Sequence, residues 1–595
     1  MNNTKHKILT VGFVIFALLS ACQKEKIGHL ELVAEGMNRN NKMTVDGLSS
    51  YWQSGDKVSI NGVESTITIS GNRAYVEGEF SADNYTIVFP SSILQSRNGN
   101  TITVDMPDTY QYKSVFLSGV GNRQVLDAPL VYYGTADDGR AMMLHLTGTL
   151  NIQISGPSGI LIDRITVSTT QNHVMSGSMQ FDLSDFNSIG SSETNNITNN
   201  KVQMLFYGNN FSTGSVKIPI PVLNGNVNFT VKVEGHMNNT GLKHTFVRTQ
   251  TTGGHLGRGV VGNVAVNMNA GAEGVTTSAL FESTTLNETT YYLINNSFDF
   301  RLFSLACKGY TYREDGENYH DDWVYNGLKY NDANYLLTSD IDMNNISMEA
   351  INKFKGKFNG MNHTIHNLDI VANNDYEWGL FINNTIYNRV QLLENITFNG
   401  LRITGRTADE YRISGGALSG GGYIDKVSNV HINNFTVGRS SDNYCLALGG
   451  FFGMVGTNCI VENSSVSFSP NQTITGSNYY VRYLTPTVLG GIVGSCSANS
   501  LALTVSNTIV NFNNLVFQST YNQTKCFFGG VFNSEVSNPS VGDIFSNVTI
   551  TGNVTIGGSN IYTAKIYTTG GSNYTNTFVN EIEGVDVSGL TINGN

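Results

Sequence analysis

Ser414-Gly415-Gly416-Ala417-Leu418, Leu448-Gly449-Gly450-Phe451-Phe452, Leu489-Gly490-Gly491-Ile492-Val493 and Phe528-Gly529-Gly530-Val531-Phe532 are four copies of one motif. From Gly415 to Gly449, Gly490 and Gly529 the steps are 34, 41 and 39 residues. That is the period range of chains that stack one supersecondary unit on itself. Thr569-Gly570-Gly571 is a fainter fifth copy, and Trp378-Gly379-Leu380-Phe381 an earlier variant. Between the copies run short alternating segments: Leu392 to Phe398, Val427-Ser428-Asn429-Val430-His431-Ile432, Val505 to Ile509, and Phe545 to Ile550. Apolar β-branched residues in alternation predict strands with one buried face. The recurring Asn and Gly suit turns, since Gly takes positive φ freely and Asn tolerates it. No helical period intervenes, so the pattern predicts a parallel β-helix over 285–595, a solenoid whose inward Val, Ile, Leu and Phe stack in ladders.

One helix is expected at its start. Ser297 reads as the N-cap, Asp299 lies in the first turn and Gly309 stops the helix. Phe298, Leu302, Phe303, Leu305 and Ala306 fall at helical spacing between them. Such a helix would cap the first coil, whose strands would otherwise be open edges.

The chain has 595 residues, 14% of them charged, and a net charge of −11. A mildly acidic surface rich in Asn, Ser, Thr and Gly argues against a nucleic-acid partner, which would need a basic footprint. Lys5 and Lys7 precede an apolar run from Ile8 to Leu19, too short to span a bilayer as a mature helix. Leu19-Ser20-Ala21-Cys22 then resembles a bacterial lipobox. Residues 1–21 would be the signal peptide, with Cys22 the lipidated residue that holds the protein in the outer membrane at the cell surface. The other cysteines, Cys307, Cys445, Cys459, Cys496 and Cys526, are odd in number and lack Cys-x-x-Cys spacing. They read as buried free thiols rather than a disulfide framework or metal site.

Two family resemblances extend these readings. Leu336-Leu337-Thr338-Ser339-Asp340-Ile341-Asp342-Met343, Phe354 to Leu368 with its Phe358-Asn359-Gly360 turn, Gly379-Leu380-Phe381 and the Gly-Gly copies resemble GLUG-type repeat proteins. That family is associated with secreted and surface adhesins. Residues 28–269 read as many short strands, hence β-sandwich modules. Their landmarks resemble the fimbrillins: Trp52-Gln53-Ser54-Gly55-Asp56, Tyr85 to Ser91, Met106-Pro107-Asp108-Thr109-Tyr110, His145 to Ile152, and Val216 to Val222 with Arg258 to Val264. The layout expected is all-β: module 22–155, module 156–269, linker 270–284, and the capped β-helix 285–595.

The fimbrillin resemblance implies export as a lipoprotein and polymerisation with other fimbrial subunits by donor-strand addition, in which a partner's strand completes an opened sheet. It also implies removal of an N-terminal segment at a basic residue, here Arg39 or Lys42. A C-terminal solenoid in place of a donor strand points to a tip or accessory subunit that binds a host or microbial surface glycan or protein. A non-polymerising surface glycan-binding lipoprotein is the alternative.

An enzyme is the third reading, and the sequence weighs against it. Polysaccharide-cleaving β-helices need clustered carboxylates. Asp340 and Asp342 could share a strand face, but a turn role suffices for them and no third partner is apparent. Glu314, Asp315, Glu317, His320, Asp321, Asp322 and Trp323 read as an inserted loop, either a solvated charge run or a cation or sugar site with Trp323 as a stacking face. Tyr479, Tyr480, Arg482 and Tyr483 form a second ligand-binding candidate, weighed against packing of one strand face. No catalytic residue, metal or cofactor is expected.

Overall fold

A computed structural model of the chain describes residues 27–34 and 54–594, except 71–72, 81–83, 118–120, 126–128, 136–138, 170–173, 184–199, 207–210, 222–226, 255–260, 315–316, 345, 373–376, 383–387, 406–412, 440–445, 456–457, 477–486, 497–502, 520–525, 535–543, 559–560 and 570–576. The described residues are all-β apart from one α-helix and a short 3-10 turn at Ser91–Ile93. They form two compact units: one runs to Ser278 without Asn239–Gly241, the other holds Asn239–Gly241 and Ala279–Asn595.

In the first unit the earliest described strand, β1 (Ile27–Ala34), lies inside an eight-stranded sheet. It runs antiparallel to Arg73–Phe80 and parallel to Arg140–His145. Alternation turns Leu30 and Leu32 into a core with Val58, Ile87 and Met143. A second core is shared by two further sheets. Ile152 and Val216 come from a sheet of Thr147–Ser155, Gly214–Pro221 and Val261–Asn267, while Ile165 and Val231 come from a six-stranded sheet built around Ile160–Thr169 and Val227–Met237.

Pairing crosses the expected boundary at 155/156. Thr147–Ser155 belongs to the second core, and Gly177–Asp182 pairs back with Thr101–Met106. The stretch 270–284, expected as a linker, is partly sheet. Val275–Ser278 adds an antiparallel edge to Lys243–Gly254, in keeping with β-branched Val275, Thr276 and Thr277.

In the second unit, strands pair in parallel with the strand one repeat later. Phe358, Leu393, Val427, Val461, Val505 and Phe545 make one register column of buried side chains in an 18-stranded sheet. Within each rung an asparagine takes left-handed φ: Asn395 at 54°, Asn429 at 54°, Asn463 at 51°, Asn507 at 47° and Asn547 at 53°. That residue absorbs one position. Val427 and Val430 therefore both face inward although three residues apart, which strict period-2 alternation forbids. The amides stack. Asn429 Nδ2 donates to Asn395 Oδ1 at 3.0 Å, Asn507 to Asn463 at 3.0 Å, and Asn547 to Asn507 at 3.0 Å.

The Gly-Gly copies build a second parallel sheet: Glu377–Trp378, Ile413–Gly416, Leu446–Gly449, Thr487–Gly490, Cys526–Gly529 and Ile561–Ala564. Gly416, Gly449, Gly490, Gly529 and Ala564 are register partners, so the first copy enters the column through Gly416, one residue later than Gly415. One position further on, a Cβ on Gly450, Gly491 or Gly530 would overlap the carbonyl oxygen of Gly491, Gly530 or Lys565 respectively. Backbone lies directly over backbone, and glycine alone fits. The fifth copy is therefore Ala564-Lys565, not Thr569-Gly570-Gly571. Thr569 pairs instead with Ser534 in a neighbouring sheet.

Helix α1 (Ser297–Lys308) begins at Asn296 rather than Ser297. Asn296 Oδ1 accepts from the Asp299 N–H at 3.0 Å, and Asp299 Oδ2 accepts from the Asn295 N–H at 3.0 Å, a reciprocal cap. Its Phe303 ring packs against Tyr335, Phe354 and Phe358 of the first rungs, at centroid distances of 4.2, 5.1 and 5.5 Å.

Gly491→Ala tests the stacking constraint. The added methyl meets a backbone oxygen that cannot move without shifting a whole rung, so the cost is about 3 kcal/mol or more. In thermal or urea unfolding of the full chain the second unit's transition should move to lower temperature or denaturant while the first unit's stays in place. An unchanged transition would mean that the rungs do not stack at this position.

Candidate functional site

Asp340 and Asp342 serve the turns rather than each other. Asp340 Oδ1 accepts from the Thr364 N–H at 2.9 Å and lies 3.1 Å from His363 Nδ1. Asp342 Oδ1 accepts from the Asn344 N–H at 2.8 Å and Asn367 Nδ2 at 3.0 Å. These hydrogen bonds hold both carboxyls below the usual carboxylate range.

The charged segment expected as a loop is a β-hairpin, Tyr310–Glu314 antiparallel to Glu317–Asp321. Alternating Tyr310, Thr311 and Tyr312 supply the strand propensity that its charges masked. Asp322 accepts from Lys329 Nζ at 2.9 Å and Asn331 Nδ2 at 3.0 Å. Trp323 is 1% exposed, so its ring is packed and presents no stacking face. Tyr479, Tyr480, Arg482, Tyr483 and Cys22 lie outside the described residues. Among the described residues no three His, Cys, Asp or Glu gather as a metal group, and no helix is long and apolar enough to cross a membrane. Cys307 and Cys459 are buried free thiols, and burial pushes both well above the ordinary thiol pKa.

Among the described residues three places stand out: the seat of one strand, a buried charge network and a cleft. The first is the seat of β1. The strand is hydrogen-bonded along both edges, and the Arg140 Nε to Glu31 Oε2 contact of 2.9 Å crosses to its neighbour. Leu30 and Leu32 are 0% and 2% exposed, so the seat is an apolar slot the width of one strand.

The second is a buried charge network on Glu234, whose side chain is 2% exposed. Arg164 Nη2 lies at 2.6 Å, Lys243 Nζ at 2.8 Å and Lys232 Nζ at 3.1 Å. Burial pushes the carboxyl up, but Arg164, Lys243 and Lys232 together outweigh it and hold it at about 2. One carboxylate matched to three cations is an internally satisfied group, which points to structure rather than ligand binding.

The third lies on the second unit. A cleft of about 600 Å³ is lined by Lys355, Lys357, Arg389, Gln391, Leu392, Asp425 and Lys426. Stacked turns form its floor: the Gln391 N–H donates to Gly356 O at 3.2 Å and the Asp425 N–H to Val390 O at 2.9 Å. Lys357 is the register partner of Leu392, and on the next rung Lys426 directly precedes Val427, the partner of Leu393. Sequence reading missed this cleft because its cations stand about one repeat apart in the chain, each solitary until the register joins them.

No protein-family model and no curated protein matches this chain. Solved structures are similar to it at low levels. A proposed cell adhesion protein of Bacteroides ovatus is 12% identical, over 43% of this chain and 96% of its own, with a TM-score of 0.26. Another from Bacteroides fragilis is 10% identical, over 44% and 99%, with a TM-score of 0.22. Likeness at that level bears on neither the fold nor the role of this chain.

The Glu234 network generates a pH dependence. Its folded pKa lies below the ordinary 4.5, so the stability it contributes is present above that pH and is lost as pH falls toward 2. The first unit's unfolding midpoint should drop across that window. Glu234→Gln should remove the network's part of the drop and cost on the order of 3 kcal/mol at neutral pH. Identical pH profiles for the two proteins would show that the network contributes no acid sensitivity.

Proposed function

We propose that this chain is a surface adhesin of fimbrial type, lipid-anchored during export, in which two β-sandwich modules carry a parallel β-helix that binds a ligand on a host or microbial surface. The observation that carries the proposal is the placement of β1. A strand held along both edges in mid-sheet, with Arg39 and Lys42 soon after it, is what an acceptor of a partner's strand requires. Cleavage at either basic residue would free β1. It would uncover the seats of Leu30 and Leu32 and leave the edges of Arg73–Phe80 and Arg140–His145 unpaired, and a partner's strand would restore both. The Cys22 motif would supply membrane attachment during export, and cleavage at Arg39 or Lys42 would release it together with β1. A ligand-binding repeat unit would serve at the tip or in an accessory position. The cyclic pairing of rungs at one-repeat intervals is the support for reading that unit as a parallel β-helix of the GLUG type.

Two measurements test the reading. Antibody against residues 285–595 with gold labelling on intact cells should mark fibre ends. Gold along fibre lengths would make it a shaft subunit, and gold on the cell body alone would leave a stand-alone surface-binding lipoprotein. Limited trypsin digestion should release a fragment carrying β1, and a synthetic Ile27–Ala34 peptide should then bind the cleaved protein. A cleaved protein that neither loses β1 nor takes up the peptide would sink the strand-acceptor role.

A further inference from the structure

We infer that the cleft over Lys357, Leu392 and Lys426 binds an extended, sparsely charged anionic glycan, one whose sugars carry carboxylates or sulfates at intervals. The inference rests on the adhesin reading only in taking the repeat unit as the ligand-bearing part.

The lining sets four cations, Lys355, Lys357, Arg389 and Lys426, against the single carboxylate of Asp425. With Asp332 and Glu462, which pair with two of these cations, counted as well, one positive charge remains in excess, in a chain of net charge −11. A concave surface focuses such a field toward an anionic ligand. Three of the cations are paired with acids: Arg389 with Asp425 of the lining at 3.4 Å, and Lys355 and Lys426 with Asp332 and Glu462 beside it at 3.3 and 2.8 Å. Partly exposed pairs of this kind contribute roughly 0–1 kcal/mol, so a ligand anion can exchange for them at small cost. Lys357 has no ion pair among the described residues.

Spacing selects the ligand class. Rungs of a parallel sheet lie about 4.8 Å apart, which puts Lys357 and Lys426 roughly 10 Å apart with Leu392 between them. Cation, apolar surface, cation is the complement of a sugar chain whose charged groups alternate with apolar ring faces, and Gln391 is placed for hydroxyls. A nucleic acid is a poor fit. Its phosphates recur every ~1.7 Å of duplex axis, and the adjacent outward column carries Glu394 and Glu462, which would repel them. A sparse polyanion can place its charges on the lysines and pass those carboxylates with neutral hydroxyls.

The test uses the full mature chain in affinity electrophoresis and titration calorimetry, with polygalacturonate, dextran sulfate and neutral dextran as probes. Retardation by polygalacturonate alone would identify a carboxylated source and by dextran sulfate alone a sulfated one. Either outcome, or both, supports the site, provided neutral dextran has no effect and added salt weakens binding. Lys357→Gln/Lys426→Gln should weaken binding roughly tenfold or more. Both side chains are surface groups, so the unfolding midpoint should hold, and the single Lys357→Gln variant gives a second reading if the double variant is unstable. Equal binding by neutral dextran, equal or tighter binding by single-stranded DNA, or unchanged affinity in both variants would overturn the inference. Fibre placement is read separately by gold labelling. Loss of end labelling with binding intact would therefore remove the tip role and keep the site, whereas the reverse result would remove the site alone.

Discussion

One close contact organises the second unit: the carbonyl of each rung lies where the preceding rung's Gly450, Gly491 or Gly530 would carry a Cβ. Backbone packed on backbone leaves no freedom in how successive strands of this sheet are phased. Because Gly416, Gly449, Gly490 and Gly529 hold one column, the outer sheet must also repeat in register. The asparagine amides then meet their counterparts, and Phe435, Phe468 and Phe512 stack at centroid distances of 5.6 and 5.3 Å. The constraint ends where stacking ends. Lys565 can carry a side chain at this position, and its N–H is taken by Asn580 Oδ1 at 2.9 Å.

Much of this was legible in the chain. The Gly-Gly copies, the inward aliphatic positions and the helix with its Asp299 and Gly309 signals all follow from local rules. What escaped needed information that no single repeat holds. The offset of the first copy to Gly416 is set by its partner, Leu446–Gly449, not by its own Gly-Gly. Among the described residues no further Gly-Gly strand follows the fifth copy, whose Lys565 and Ile566 N–H groups go instead to Asn580 Oδ1 and Val579 O, so a repeated dipeptide is no guide to it. Left-handed asparagines hid inside what looked like strict alternation. The charged hairpin and the Val275–Ser278 edge were strands whose β-branched and aromatic residues stood beside charged or small-residue stretches that read as loop. The cleft is the extreme case, since Lys357, Arg389 and Lys426 become neighbours only through register.

The two units place different demands on the chain. In the second, each strand finds its partner within about one repeat, so order can spread from any pair of rungs. In the first, β1 sits between strands from Arg73–Phe80 and Arg140–His145. Its parallel neighbour is synthesised more than a hundred residues later, as the Glu31 to Arg140 pairing shows. Leu30 and Leu32 therefore have no complete seat until the module is nearly whole. A strand that closes its sheet late is also one that the rest of the sheet can be built without, which is the property that the proposed exchange would use.

The asparagine ladders also set how the protein ages. Asn359 and Asn399 are each followed by glycine, the neighbour that least hinders cyclisation of an asparagine side chain onto the next backbone nitrogen. Asn399 Oδ1 accepts from Asn434 Nδ2 at 3.2 Å, and Asn359 Nδ2 donates to Glu394 Oε1 at 2.8 Å. Deamidation at Asn359 would replace that donor with a carboxylate facing Glu394, turning an attraction into a repulsion between neighbouring rungs. These Asn-Gly sites beside the amide column are thus a chemical clock: their slow conversion to acid would loosen the stack from within, without cleavage of any peptide bond.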